Sequence, residues 1–417
     1  MTQPLPLTTK TGIGSFFKSF FLVFVSVYFI LYIFPYPFTE DVGVHGSAYS
    51  LDPFVLWVGR TILGLTDLQS TQIGSSDTTF IYVGIFVRML LALAVALVLA
   101  LWKGKAFHSD RLFRWAYTYV RFTTGIFIIT YGVGKMGNGG QFLYPTVAWM
   151  DAPLGNLSPM SLLWTFMGYS RSFSVFTGVF EILGGMLLLF RRTMVLGALV
   201  SFGVMLNVVA LNYSYNVCVK TFSTHLLLFL AFLLMPNIAT LWRLFLNNNS
   251  WKTIQPELPR KWMRISAIAL LSVIALVKVN ESWQQMRKGV KHYRSFEPRN
   301  AIYRTKNFIV NGDTLQPPPV DSVRWEKMII DNNYAVIVHM DKSIKYYSIS
   351  VDTTARALTL SEPSDSTRNF ELRYNYNSEN EIFLQGVLES DSIAATFRLI
   401  RGDDFLLGRE KFKWIIE

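Results

Sequence analysis

Glu181 lies within the apolar run Ser172–Phe190, where an ionised carboxylate is costly unless it finds a partner. Other apolar runs carry Arg88, Arg121, Asn207 and His225, and Lys135, Asn212 and Lys220 lie near run ends. Counting 1.5 Å per helical residue places Arg121 and His225 at about the depth of Glu181, with Arg88 and Asn207 near one turn away. Asn212, Lys135 and Lys220 are expected to form a second polar group near the outer face. Two readings stand side by side. In one, Arg121 pairs with Glu181 and pins two helices, while His225 and Asn207 bond to backbone. In the other, the surplus of cations over one carboxylate holds an anionic or carbonyl-bearing ligand: a quinone head group, a lipid head group or a carboxylate substrate. Glu181 and His225 are then the catalytic candidates for proton exchange, and Arg88, Arg121, Lys135, Asn207, Asn212 and Lys220 the ligand-binding ones.

Seven runs are long enough to position such residues in a bilayer, at about 20 residues per crossing. They lie near 14–34, 79–102, 112–135, 172–190, 194–213, 220–236 and 262–279, the last being the shortest on apolar content. Leu51–Leu65 and Met160–Gly168 are apolar but short, and are expected to lie at the interface or against the bundle. The composition, 51% hydrophobic and 16% charged, agrees with a membrane protein rather than an average soluble enzyme. The net charge of +11 is therefore read as loop charge that sets orientation, not as nucleic-acid binding. Basic residues gather at 103–114, at Arg191 and Arg192, and at 243–264, whereas 35–78 and 136–160 have almost none but carry Glu40, Asp41, Asp52, Asp67, Asp77 and Asp151. The positive-inside rule then gives a cytoplasmic N-terminus, a retained first helix, and an outside location beyond Lys278. One cysteine, Cys218, excludes an internal disulfide and metal sites built on paired cysteines; no metal is expected.

After Glu281 the pattern changes. An amphipathic connector at 281–300 leads into period-two segments such as Lys306–Val310, Tyr334–Met340, Ile344–Val351, Ala357–Ser361, Phe370–Tyr376, Ile382–Leu388 and Ala394–Ile400. The ending Phe412–Glu417 reads as a last strand, and Gly312–Pro319 as an ordered loop. His339 and Asp341 sit on one hairpin without a further histidine or cysteine to complete a metal site. The expected domains are 1–280 transmembrane, 281–300 connector, and a 301–417 antiparallel barrel or sandwich outside the membrane.

Three stretches carry a family resemblance: Tyr131–Phe142 (YGVGKMGNGGQF), Trp164–Phe190 (WTFMGYSRSFSVFTGVFEILGGMLLLF) and Leu206–Leu228 (LNVVALNYSYNVCVKTFSTHLLL). The helix-end lysine, the glutamate preceding a Gly-Gly pair and the following Arg-Arg resemble DoxX-family membrane proteins, especially long forms with a soluble tail. The likeness spans about 110–246. It implies a four-helix unit and, through members similar to a subunit of thiosulfate:quinone oxidoreductase, a quinone-linked redox role. This chain reads Tyr215-Asn216-Val217-Cys218-Val219-Lys220 where the long forms carry Tyr-Asp-x-Pro-Val-Lys, so it lacks that acid. A remoter likeness to vitamin K-dependent carboxylase-like membrane domains also implies a quinoid ligand. The expected function is thus a DoxX-like, quinone-linked oxidoreductase component of a bacterial inner membrane. The alternative is a non-enzymatic anchor in the bilayer whose β-domain docks an envelope partner.

Overall fold

The computed structural model describes residues 13–34, 51–70, 77–103, 110–136, 141–247, most of 262–284, 300–314, 323–331, 334–363, 365–388 and 391–409. The glycines at 137, 139 and 140, most of the 281–300 connector, much of the Gly312–Pro319 loop and the terminal segment Phe412–Glu417 lie outside them.

The chain forms two compact units. One combines residues 1–137 with 172–284; the other combines 138–171 with 285–417. The short helices between the third and fourth long apolar runs therefore belong to the unit that holds the β-strands, whereas Met160–Gly168 was expected at the interface or against the bundle.

The first unit is helical: α1 (Ile13–Ile33), α2 (Asp52–Trp57, continued by a π-turn to Ile62), α3 (Thr79–Lys103), α4 (Asp110–Met136), α7 (Arg171–Leu189), α8 (Met194–Ser214), α9 (Lys220–Leu234) and α10 (Ile238–Asn247). Among the described residues, five stretches are long and apolar enough to cross a membrane: Phe16–Ile33, Thr79–Trp102, Arg171–Leu189, Met194–Ser214 and Lys220–Leu244. The last runs from α9 into α10 through a 3-10 turn, Met235–Asn237, where Pro236 removes a backbone donor. The turn between α8 and α9 places Asn216 at φ 51°, a left-handed conformation that asparagine tolerates better than most residues. α4 is also long enough, but Asp110, Arg111, Arg114, Arg121 and Lys135 lower its apolar character. A core of Phe29, Phe113, Tyr117, Phe229 and Phe232 unites α1, α4 and α9.

Glycine spacing fixes how α4 meets α7. A Cβ at Gly178 would sit 2.6 Å from the Gly132 carbonyl oxygen, and one at Gly185 would sit 2.7 Å from that of Gly125. Both helices space these glycines seven residues apart, and the pairing is antiparallel. The backbones cross too closely for any larger residue, the usual means by which helices gain dispersion contact in lipid.

The second unit holds α5 (Val147–Asp151), α6 (Pro159–Tyr169) and strands β1 (Ala301–Val310), β2 (Asp313–Thr314), β3 (Trp325–Asp331), β4 (Tyr334–His339), β5 (Ile344–Asp352), β6 (Ala357–Glu362), β7 (Asp365–Ser378), β8 (Glu381–Leu388) and β9 (Asp391–Ile400). α6 starts at Pro159, and its cap Ser158 accepts from the Ser161 amide at 3.1 Å. The strands are antiparallel in sequence order, and β1 pairs with β9 to close eight of them into a barrel, with the two-residue β2 as a tag on β1. Of the two β architectures expected, the barrel is the one formed. Its interior is packed with Tyr303, Trp325, Met328, Leu358, Leu372 and Phe397, all fully buried, as suits a small eight-stranded barrel. On the outside, Val147 of α5 packs on Ile302 and Ile329, and Asp151 receives Lys327 and Arg304.

β3 was absent from the sequence reading, for a structural reason. A bulge between Trp325 and Lys327 shifts the alternation, and Ile329 is buried on the outer face while Met328 and Ile330 are buried inside. The strand therefore reads as the charged pair Glu326-Lys327 followed by the apolar triplet Met328-Ile329-Ile330, without period two.

Candidate functional site

The intramembrane polar residues do not form one layer. Apart from Asn207, they separate into distinct clusters.

Glu181 of α7 pairs with Lys135 of α4, Nζ to Oε1, at 2.5 Å, with side-chain exposures of 1% and 7%. The Arg121–Glu181 pair of the first of the two readings is not formed among the described residues. Side chains on a helix lean toward its N-terminus, so in an antiparallel pair Lys135 and Glu181 lean toward one another along the crossing. Counting Cα rises omits that lean, and so placed Lys135 too far away. The second carboxylate oxygen, Oε2, is buried and accepts no hydrogen bond among the described residues. Arg121 sits at the other end of the crossing, its Nη2 donating to the Leu189 carbonyl at 3.1 Å and its guanidinium 4.5 Å from the Phe122 ring centre. It thereby serves the unsatisfied carbonyl end of α7.

His225 of α9 belongs to a second cluster, with α1. Its Nδ1 lies 2.6 Å from the Thr221 carbonyl and its Nε2 2.6 Å from the Tyr28 hydroxyl. A carbonyl can only accept, so Nδ1 carries the proton; Nε2 then accepts from Tyr28. Tyr32, one turn along α1, stacks on the imidazole at 3.8 Å between centroids and 9° between planes. Arg88 of α3 donates from Nε to the Leu31 carbonyl at 3.3 Å, and Tyr28, Tyr32 and Asp52 lie within electrostatic reach of its guanidinium. Gly84 makes room for that group, since a Cβ there would come 2.8 Å from Nη1.

The expected grouping of Asn212, Lys135 and Lys220 also divides. Asn212 donates to Ser223 Oγ at 3.0 Å, tying α8 to α9. Lys220 opens α9, where its backbone amide and that of Thr221 each donate to the Asp77 carboxylate at 2.9 Å. Lys220 Nζ adds an ion pair at 3.4 Å and Thr221 Oγ1 a hydrogen bond at 3.0 Å. Asp77 is thus a helix cap contributed from a remote loop. Its partial burial favours the neutral acid, but the donors from Thr221 and Lys220 together outweigh burial and hold its carboxyl below the usual range. Asn207 joins nothing: it is exposed on α8 and makes no hydrogen bond among the described residues.

Two cavities lined by described residues lie near these elements. An apolar groove of about 320 Å³ runs between α1 and α3 past Phe20, Phe24, Phe86 and Leu90, and a space of about 730 Å³ adjoins residues 64–69 and 77–80. Asp77 borders the second; Glu181, Lys135, Arg121, Arg88 and His225 line neither. Among the described residues no group of histidine, cysteine, aspartate or glutamate could hold a metal ion. In the barrel, His339 is buried, and the Ser343 amide donates to exposed Asp341 at 2.8 Å in a turn.

Tyr28 and Tyr32 are not among the residues singled out in the sequence, and Asp77 and Asp151 figure there only as acidic loop residues that orient the chain. The spacing of Tyr28 and Tyr32 puts them on one helix face, which was a usable signal; the aspartates stood in loops, where the residue is common.

No family model matches the chain. A stretch of 74 residues is 39% identical to the uncharacterized protein YwoB of Bacillus subtilis (strain 168), covering 18% of this chain and 48% of that protein. The chain spans about half the length of this relative. No solved structure matches.

Proposed function

We propose that this chain is a polytopic membrane anchor that carries a β-barrel outside the cytoplasmic membrane of a bacterium, for docking an envelope partner. The observation that carries the reading is the pairing of residues 138–171 with the barrel in one compact unit. These segments lie on one side of the bilayer only if an even number of crossings separates them. Arg171–Leu189, Met194–Ser214 and Lys220–Leu244 supply three, so a fourth is required, and the described residues within 262–284 are helical. The same parity applies to Asp77 and Lys220, which touch. Between them α3, α7 and α8 supply three crossings, and α4 is available as the fourth. With α1 the total is seven. The basic loops then favour a cytoplasmic N-terminus and an external barrel.

The polar clusters fit an anchor because their charges are spent on helix contacts: Lys135 on Glu181, Arg121 on the end of α7, Asp77 on the start of α9. The test is co-purification from envelope membranes with and without residues 295–417. A partner lost on deletion supports docking by the barrel, and a partner that stays attached overturns it.

A second reading rests on one observation, the Tyr28–His225 contact beside Arg88. A DoxX-like, quinone-linked oxidoreductase component would use such a hydroxyl–imidazole pair to pass a proton, with Arg88 polarising a ligand oxygen. The electron carrier would come from a partner. Stoichiometric quinone in lipid extracts of the purified protein, lost in His225→Phe, would favour this reading over the anchor.

A further inference from the structure

Asn207 is anomalous in the helical unit. Away from helix ends, the other exposed residues described on Thr79–Trp102, Arg171–Leu189, Met194–Ser214 and Lys220–Leu244 are apolar or glycine: Phe86, Leu93 and Val98 on α3, Phe176, Val179 and Leu183 on α7, Leu206 on α8 and Leu228 on α9 are examples. Asn207 alone among them turns a carboxamide outward. It lies seven residues before the end of α8, about 10 Å in, where lipid offers neither donor nor acceptor.

We propose that this face of α8 is the contact between two copies of the chain, closed by reciprocal hydrogen bonds between their Asn207 side chains. The carboxamide is both donor and acceptor, so it satisfies itself across a two-fold axis. Every copy of a membrane protein shares one orientation, so the two-fold axis runs along the bilayer normal and brings identical residues to one depth. A second copy therefore meets the depth requirement automatically, whereas an unrelated helix would need a matching polar residue at the same level. The neighbouring positions permit the approach. Gly203, one turn before Asn207, has open space around its Cβ position, and Ala210, three residues after it, is small and exposed. Asparagine on a lipid-facing helix surface is an established driver of helix association. The inference rests on α8 crossing a bilayer and is independent of whether the barrel docks a partner or the bundle binds quinone.

The experiment is disulfide trapping of the full chain in native membranes, in a Cys218→Ser background. Ala210→Cys reports the proposed contact with Asn207 left in place, and Phe180→Cys, on the exposed face of α7, reports random collision. The expected result is a dimer-mass product for Ala210→Cys about tenfold above the Phe180→Cys control, falling to control level when Asn207→Leu is added. Replacing an exposed residue by leucine leaves the fold of one copy intact, and an unchanged unfolding transition in detergent verifies that. Trapping no greater than the control, trapping indifferent to Asn207→Leu, or a product at the mass of a different protein each overturns the proposal.

Discussion

Lys135 and Glu181, 46 residues apart in sequence, meet at 2.5 Å where the glycines of α4 and α7 bring the two backbones together. The pair also occupies the two helices that lead into and out of residues 138–171, the segment that clusters with the barrel.

The first prediction concerns this pair. Leaving one buried charge without its partner is worse than removing both, and costs about 3–5 kcal/mol. Glu181→Gln and Lys135→Met are each expected to lower stability by about that amount, and the double variant to recover most of it. Reversible unfolding in mixed micelles reads all three. Equal losses in the double variant and the sum of the singles would show that the two residues act independently.

Much of the scaffold could be read directly. Long apolar runs gave the long helices because a bilayer leaves few other structures open to them, and period two gave seven of the strands. Contacts were harder. The Arg121–Glu181 pairing failed because arginine is the stronger partner on paper, while the Gly132–Gly178 register and the opposed lean of side chains select Lys135. His225 was assigned to the Glu181 layer by depth, yet it faces Tyr28 and Tyr32 on α1, a neighbour no linear pattern identifies. Asn207 looked like a ligand residue because composition records polarity and not direction. Trp325–Asp331 stayed hidden because its outer face is covered at Ile329 and a bulge breaks its phase.

The second prediction is a pH dependence at Asp77. The donors from Thr221 and Lys220 hold its folded carboxyl below the usual aspartate range, so its stabilising effect is complete above the unfolded value and fades as pH falls through the folded one. Asp77→Ala is expected to cost about 0.5–2 kcal/mol at neutral pH through the lost cap on α9. That deficit should shrink on acidification below about pH 4, as the native carboxyl is protonated too. Asp77→Asn keeps an acceptor oxygen and should lie between the two at neutral pH. Parallel curves for the native chain and Asp77→Ala between pH 7 and pH 3 would rule out a charged cap.

The third prediction addresses the segment that joins α4 to α7. Asp151 ends α5 with its carboxylate 12% exposed, paired to Lys327 and 3.9 Å from an Arg304 nitrogen. Both partners project from adjacent strands of the barrel, β3 and β1, and Val147 packs on Ile302 and Ile329 beside them. One carboxylate thus holds a five-residue helix that is too short to persist alone. Asp151→Asn removes the charge and weakens both contacts, at an expected cost of about 1–3 kcal/mol to the docking of the segment. The barrel ladder is closed by its own β1–β9 pairing and does not depend on that carboxylate. Hydrogen exchange separates the two effects. Amides of Val147–Asp151 and of residues 160–169 should exchange faster in Asp151→Asn by about one to two orders of magnitude, while those of β7, β8 and β9 keep their native protection. Faster exchange throughout the barrel would mean that Asp151 supports the β-fold itself, and unchanged exchange in α5 would mean that the apolar contact of Val147 suffices to hold it.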